Sequence, residues 1–315
     1  MKKRLILIDS NSVLHRAYHA LPPLTTKKGK PVGAVYGFCL VFLKVIKEFR
    51  PEFITACFDF PAPTFRHKKF KEYKAKRPPA PTDFPPQISI TKEVLKAFNV
   101  PVFEKKGFEA DDLIATISFL ATKDPQLEVI ILTGDLDILQ LINPQVKVYL
   151  LKRGVKETIL YDEKTLKEKY GFSAKLFLDF KALRGDPSDN IPGVPGIGEK
   201  TAAKLIKEFG SIEELYKKIK EGNIQTINEK FKKILLNSEK EAFLSKNLIL
   251  LKKDIPLKFD LEKCRWGDYD KEKVKNILES LEFYSLVRRL FKDQKKTNLS
   301  EKKVSQKENL TLFNL

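Results

Sequence analysis

Leu5-Ile6-Leu7-Ile8-Asp9, Phe53-Ile54-Thr55-Ala56-Cys57-Phe58-Asp59 and Val129-Ile130-Ile131-Leu132-Thr133-Gly134-Asp135 are three apolar runs that each climb to a single acid. Runs this short, continuous and rich in β-branched residues are expected to be buried strands of a parallel sheet. A carboxylate just past such a strand faces the crevice where these sheets bind their ligands. Helix-like segments alternate with the runs, with amphipathic stretches at 32–49 and 88–98 and an apolar stripe at 109–122. The expected fold is α/β, a mostly parallel central sheet flanked by helices over residues 1–164. Residues 165–290 read as a helical subdomain punctuated by glycines, and 291–315 as a polar, basic, flexible tail.

The bulk composition narrows the partners. Fifty-nine Lys and Arg against 41 Asp and Glu give a net charge of +18 over 315 residues, an excess suited to a polyanion, with nucleic acid first among candidates. A coat for a polyanion has no use for a focused acidic cluster, so the combination points to binding plus chemistry. Cys39, Cys57 and Cys264 are odd in number and far apart, which argues against a disulfide framework or zinc knuckle and fits a reducing cytoplasm. The apolar run after the basic N-terminus is too short for a signal peptide or membrane span, so no membrane association is expected.

Further acids stand in tight groups at Glu109-Ala110-Asp111-Asp112, Asp135-Leu136-Asp137 and Asp186-Pro187-Ser188-Asp189, so that nine carboxylates are expected around one cleft. Like charges a few ångströms apart repel and raise one another's pKa, and divalent metal relieves this. Phosphodiester hydrolysis needs charge neutralised on the phosphate, a water ionised and a leaving oxyanion stabilised, which two metals ~4 Å apart supply together. An Asp/Glu set with no histidine or cysteine nearby favours Mg²⁺, with Mn²⁺ as substitute, over zinc. Singly, these acids could be helix caps or turn residues. Caps would be scattered, whereas these recur where a parallel sheet gathers its strand ends.

Two segments carry the expected nucleic-acid contacts. Thr64 to Arg77, fenced by prolines between Pro61 and Pro86, is expected to be a helix with Arg66, Phe70, Tyr73 and Arg77 on one face, cations and aromatics suited to a phosphate backbone with unstacked bases. Gly193-Val194-Pro195-Gly196-Ile197-Gly198-Glu199-Lys200-Thr201 matches neither a phosphate loop, because Glu199 separates Gly198 from Lys200, nor a dinucleotide fingerprint, because Thr201 stands at its third glycine. It reads as a glycine turn feeding a helix from about Glu199, whose free amides can hold a phosphate. Lys200, Lys204 and Lys207 would then track the backbone.

With these motifs in order, residues 4–290 resemble the 5′-nuclease superfamily, specifically the 5′-to-3′ exonuclease domain of bacterial DNA polymerase I and the related flap endonucleases. The resemblance implies a PIN-like nuclease core with a helix-hairpin-helix at about 185–210 and a helical arch at about 61–86. It implies that Asp9, Asp59, Glu109, Asp111, Asp112 and Asp135 ligate a first metal group, Asp137, Asp186 and Asp189 a second, and that the hairpin holds a potassium ion. Asp135, Lys74 and Arg77 take catalytic roles by the same likeness, the two cations steering the scissile phosphate. DNA contacts fall to Arg66, Phe70, Tyr73, Lys74, Arg77, Gly193, Gly196, Gly198, Lys200, Thr201 and Lys204. Two departures stand out: Leu136 occupies a place that is commonly basic, and Ser10 one that is commonly glycine.

The implied function is structure-specific 5′-to-3′ exonuclease and flap endonuclease action on branched or flapped DNA and RNA–DNA primer junctions, in replication and repair. The alternatives are a non-catalytic branched-DNA binder and a PIN-type ribonuclease. No proofreading or polymerase-like sequence follows Leu290, so a freestanding, nucleoid-associated cytoplasmic nuclease working beside a separately encoded polymerase is expected. Asn309-Leu310-Thr311-Leu312-Phe313 resembles the peptide by which bacterial replication proteins dock on the sliding clamp.

Overall fold

The three acid-tipped runs form adjacent strands. In this computed structural model, which describes residues 2–222 and 226–291, β1 (Lys3–Asp9) is followed by α1 (Ser10–Ala20) and α2 (Gly33–Phe49), then β2 (Phe53–Cys57). α3 (Phe65–Lys69), α4 (Phe84–Ala97), β3 (Val102–Phe103), α5 (Ala110–Ala121) and β4 (Leu127–Thr133) complete the parallel part. β5 (Val146–Arg153) adds parallel to β4, and β6 (Glu157–Tyr161) turns back antiparallel on β5. The strand order is β3-β2-β1-β4-β5-β6. After β3 the chain crosses to the far side of β1, so the order reverses between β1 and β4, the place where open α/β sheets receive ligands.

The unbroken apolar character of the runs follows from burial on both faces. Leu5, Leu7, Val129 and Ile131 point into one core with α5, while Ile6, Ile8, Ile130 and Leu132 point into a second core with α1, α2 and α4. Each side chain so buried contributes on the order of 1.5–3 kcal/mol. The sheet is thereby held rigid up to its carboxyl edge.

The helical part contains α6 (Glu163–Tyr170), α7 (Phe177–Arg184), α8 (Glu199–Phe209), α9 (Ile212–Lys220), α10 (Glu229–Asn237) and α11 (Glu239–Ile249), followed by α12 (Lys271–Ser280) and α13 (Tyr284–Phe291). Phe177, Phe180, Leu205, Ile206 and Leu215 belong to the same core as α5 and β4, so the helices continue the sheet's packing instead of forming a detached unit. α7 and α8 are joined by residues 185–198, where backbone runs against backbone. A Cβ on Gly193 would lie 2.4 Å from the Gly185 nitrogen, and one on Gly185 2.7 Å from the Ile191 oxygen. Glycine is required at both because no side chain fits between the two arms of the hairpin.

One expected element is not formed as read. The helix anticipated over 64–77 is confined to Phe65–Lys69, since Phe70 is extended and Lys74 has φ +58°. From 71 to 77 the chain turns, stitched to the 186–190 loop by the Lys74 amide donating to the Asp189 carbonyl (2.9 Å) and the Asn190 side chain donating to the Glu72 carbonyl (2.8 Å). Pro85 and Pro86 do not close the segment but open α4, in the first-turn positions where proline costs nothing. The tail at 292–315, with Asn309–Phe313, lies outside the described residues. Among the described residues no helix is long and apolar enough to cross a membrane.

Candidate metal and nucleic-acid site

The carboxyl ends of β1, β2 and β4 deliver Asp9, Asp59 and Asp135 to one cleft of about 710 Å³, and α5 adds Glu109 from its N-cap and Asp111 from its first turn. Asp9 caps α1, accepting from the Ser12 amide at 3.2 Å, and accepts from the Thr133 hydroxyl at 2.5 Å, which ties β1 to β4. Asp59 accepts from the Ala110 amide at 2.7 Å, and its own amide donates to Asn11 Oδ1 at 3.0 Å. Asp135 Oδ1 accepts from the Asp137 amide at 2.8 Å. A loop two residues past β4 is thus locked by its own backbone. Gly134 lets α1 close on that loop: its amide donates to Ser12 Oγ (2.9 Å), Arg16 donates to its carbonyl (3.0 Å), and a Cβ there would meet Arg16 at 2.8 Å.

The electrostatics are those of acids crowded without enough counter-charge. Burial and the nearby charges of Asp59 and Asp135 push Asp9 up to about 7, against the pull of the Thr133 hydroxyl. Asp111 is raised well above the ordinary carboxylate range by burial and by Asp9, Asp135 and Asp59. Asp135 and Asp59 are raised as well, chiefly by burial. None of the ion pairs among the described residues involves Asp9, Asp59, Asp111 or Asp135.

The remaining acids are held by cations. Glu109 lies 3.0 Å from Lys74 Nζ, and Asp189 pairs with Arg77 and lies 3.8 Å from Lys74. The buried Tyr73 hydroxyl, 3.0 Å from Glu109 and 3.1 Å from Asp189, shares one proton between them and is itself raised by burial and by both charges. Asp137 and Asp186 close on Lys181, at 2.6 and 2.7 Å. Burial and Asp135 raise Asp137 to about 7, while Asp186 is lowered, Lys181 and Ser188 outweighing its burial. Among the described residues, no three His, Cys, Asp or Glu side chains already stand as a metal-binding group.

Several expected contacts need correction. Asp112 does not face the cleft: fully buried, it receives a bidentate pair from Arg66 (2.6 and 2.9 Å) and closes a capping box on the Glu109 amide (3.2 Å). Arg66 is correspondingly unavailable to DNA, being 2% exposed and also bonded to the Leu248 carbonyl. Phe70 and Tyr73 pack with Ile191, Leu248 and Ile249, so their rings serve a small core instead of a stacking face. The Gly193 amide is spent on Ser245 Oγ at 3.0 Å. Gly196 and Gly198 are exposed with open space around them, Gly198 offers α8 no side-chain cap, and Lys200 and Lys204 are exposed while Thr201 is half-buried. The cleft is also not free of histidine. His15 lines it with Asn11 and Ser12, the face that α1 turns towards the strand ends, and the three-and-four spacing of 11, 12 and 15 was the signal for it. Lys181 left no local signal at all. Of the two departures, Leu136 packs against the core, and the buried Ser10 hydroxyl has no partner among the described residues.

An open α/β sheet with acids at its switch point, continued by a helical hairpin, defines a class, and comparison with known proteins names it. The family model "5′-3′ exonuclease, N-terminal resolvase-like domain" matches residues 4–171, and "5′-3′ exonuclease, C-terminal SAM fold" matches 172–272. The chain belongs to the 5′-3′ exonuclease family. DNA polymerase I of Caldicellulosiruptor bescii is 41% identical over 289 residues, which cover 91% of this chain and 33% of the relative. The chain therefore spans about a third of the length of the curated relatives it matches. A bacteriophage T5 flap endonuclease, in a pseudo-enzyme–product complex with DNA and metal ions, shares the fold with a TM-score of 0.64 at 20% identity, covering 89% of this chain and all of that one. The catalytic core of Rad2 in complex with DNA does so at 0.57 and 16%, covering 89% and 88%.

Proposed function

We propose that the chain is a divalent-metal-dependent, structure-specific 5′ nuclease that hydrolyses phosphodiester bonds at flaps, nicks and primer junctions. The observation that carries this reading is the meeting of Asp9, Asp59, Glu109, Asp111 and Asp135 in one cleft rimmed by Lys74 and Arg77. The donor set fits a hard divalent cation, because these oxygens repel one another and four of the five acids have no ion-pair partner among the described residues. Mg²⁺ bound there, with a second ion taken up beside substrate, would neutralise the scissile phosphate and activate water. Asp9 and Asp135 would hold it from the rigid strand ends, with Asp59, Glu109 and Asp111 closing around it.

The chain's own groups supply the rest. Lys74 and Arg77, now paired with Glu109 and Asp189, would turn to a phosphate when one enters, exchanging one anion for another at little cost. The uncapped start of α8, with Gly196, Gly198, Lys200, Thr201 and Lys204, would grip the duplex backbone. The reading divides the chain into a nuclease core over 1–164, a helical grip over 165–290 and a tail over 291–315. It extends to potassium at the hairpin and to clamp docking through Asn309–Phe313. Deleting residues from Asn309 onward should abolish clamp binding and spare cleavage of free substrate.

A non-catalytic branched-DNA binder is the second reading, favoured by the cations already seated on Glu109, Asp137, Asp186 and Asp189. Incubating the chain with a 5′-flap duplex, a nicked duplex and a linear single strand, each with Mg²⁺ and with chelator, separates the two. Mg²⁺-dependent cuts near the flap junction are expected. Tight binding of the flap without any cut in Mg²⁺ or Mn²⁺ would favour the binder.

A further inference from the structure

α2 buries Phe38, Val41, Phe42 and Val45 in the core but leaves Leu40, Leu43 and Ile46, three residues apart, half-buried. With Trp266, Tyr269 and Leu290 they line a groove of about 1090 Å³, larger than the acid cleft and sharing no residue with it. Trp266 is fixed from the core side, its ring edge-on to Phe42 at 5.5 Å and beside Tyr269 at 5.2 Å. Open apolar surface of this extent marks a binding site. Its rim carries Lys44, Lys47, Arg288 and Arg289, and among the described residues no acid lines it.

Residues 292–315, outside the described residues, follow directly on α13, whose Leu290 already lines the groove. Their sequence has two parts. From Lys292 to Glu308 it is basic, six lysines against Asp293, Glu301 and Glu308, and the basic rim repels it. Asn309–Leu315 has no charged side chain and gathers Leu310, Leu312, Phe313 and Leu315. A polar spacer as long as 292–308 spans on the order of 20–25 Å as a random chain, so a segment tethered by it meets the groove at an effective concentration of about 1 mM. We infer that Asn309–Leu315 docks in this groove of its own chain, its leucines and Phe313 covering Leu40, Leu43 and Ile46 beside Trp266. The inference stands apart from the nuclease reading. It bears on the clamp reading, because a docked segment is withheld from other proteins, and a partner that takes Asn309–Phe313 must first draw it out of the groove.

Trp266 is the chain's one tryptophan, so its emission and its quenching by acrylamide report on the groove. Wild type is compared with the full-length double variant Leu312→Asp/Phe313→Asp, and the synthetic peptide Lys307–Leu315, which has neither Trp nor Tyr, is titrated into that variant. Trp266 should be shielded in wild type at every protein concentration, and in the double variant its emission should shift to the red and its quenching increase. The peptide should reverse both changes with a Kd of about 0.1 mM or tighter, the affinity that keeps a segment at millimolar effective concentration docked about nine-tenths of the time. Adding Leu43→Glu to the double variant should abolish the peptide's effect, and Leu40→Gln takes its place if circular dichroism shows that variant unfolded. Identical quenching in wild type and the double variant, or no response to millimolar peptide, would overturn the inference and leave the groove to another protein. Shielding that disappears when wild type is diluted would overturn it in favour of a second copy of the chain. A peptide effect undiminished by the groove substitution would place the segment elsewhere and overturn it as well.

Discussion

At the scale of single residues, the acids divide by what faces them. Asp59 and Asp135 are open to the cleft, and Asp135→Asn or Asp59→Ala should retain branched-DNA binding in a gel-shift assay while losing cleavage by more than about a hundredfold. Asp111 is the most crowded, so Asp111→Asn should stabilise the metal-free chain by about 0.5–2 kcal/mol in denaturant unfolding, because the amide removes a charge the fold holds at a cost. Arg66 behaves oppositely. Arg66→Ala strands the fully buried Asp112 and should cost about 3–5 kcal/mol, leaving the salt slope of DNA binding unaltered in whatever fraction folds. The three acids that end apolar runs were legible in the sequence, because strand ends are local features. Asp112 and Arg66 were not: the family resemblance implied a ligand and helical spacing put Arg66 on one face with Phe70, Tyr73 and Arg77, yet the two residues meet across 46 positions.

At the scale of elements, α5 and α2 were readable from apolar periodicity, and the start of α8 from its glycines. The 64–77 segment was misread because helical spacing says nothing about where backbone can bond to a distant loop. Lys74 at φ +58° and the stitch to 186–190 prevail over local propensity. Asn190, itself at φ +56°, anchors that stitch through Glu72. Asn190→Ala loses the side-chain bond and strains the left-handed position, so limited trypsin digestion should cut at Lys71, Lys74 or Lys76 several-fold faster, with α4 untouched. Lys74→Ala should slow cleavage more than it weakens binding, because one phosphate contact among many is lost from affinity but the one nearest the acids is lost from chemistry.

For the whole molecule, charge links stability to pH and to metal. Asp9, Asp59, Asp111, Asp135 and Asp137 are all raised above their values in the unfolded chain, so above about pH 4 the folded state binds more protons. Asp9 and Asp137, pushed up to about 7, set the window: their contribution is full below about pH 4 and is lost as pH rises through about 7, and the other three act in the same direction. Thermal unfolding in chelator should therefore show Tm falling from pH 5 to pH 8, and Mg²⁺ should recover most of the loss at pH 8. Binding of branched DNA should weaken steeply with salt, as expected for +18 net charge and phosphate contacts. The central claim is that separate strand ends assemble one pocket for divalent ions, and anomalous scattering from a Mn²⁺-soaked crystal examines it directly. The account predicts a manganese peak within coordination distance of Asp9 and Asp135, with Asp59, Glu109 or Asp111 turned towards it. Manganese-soaked crystals showing these five carboxylates in place and no anomalous peak among them would contradict it.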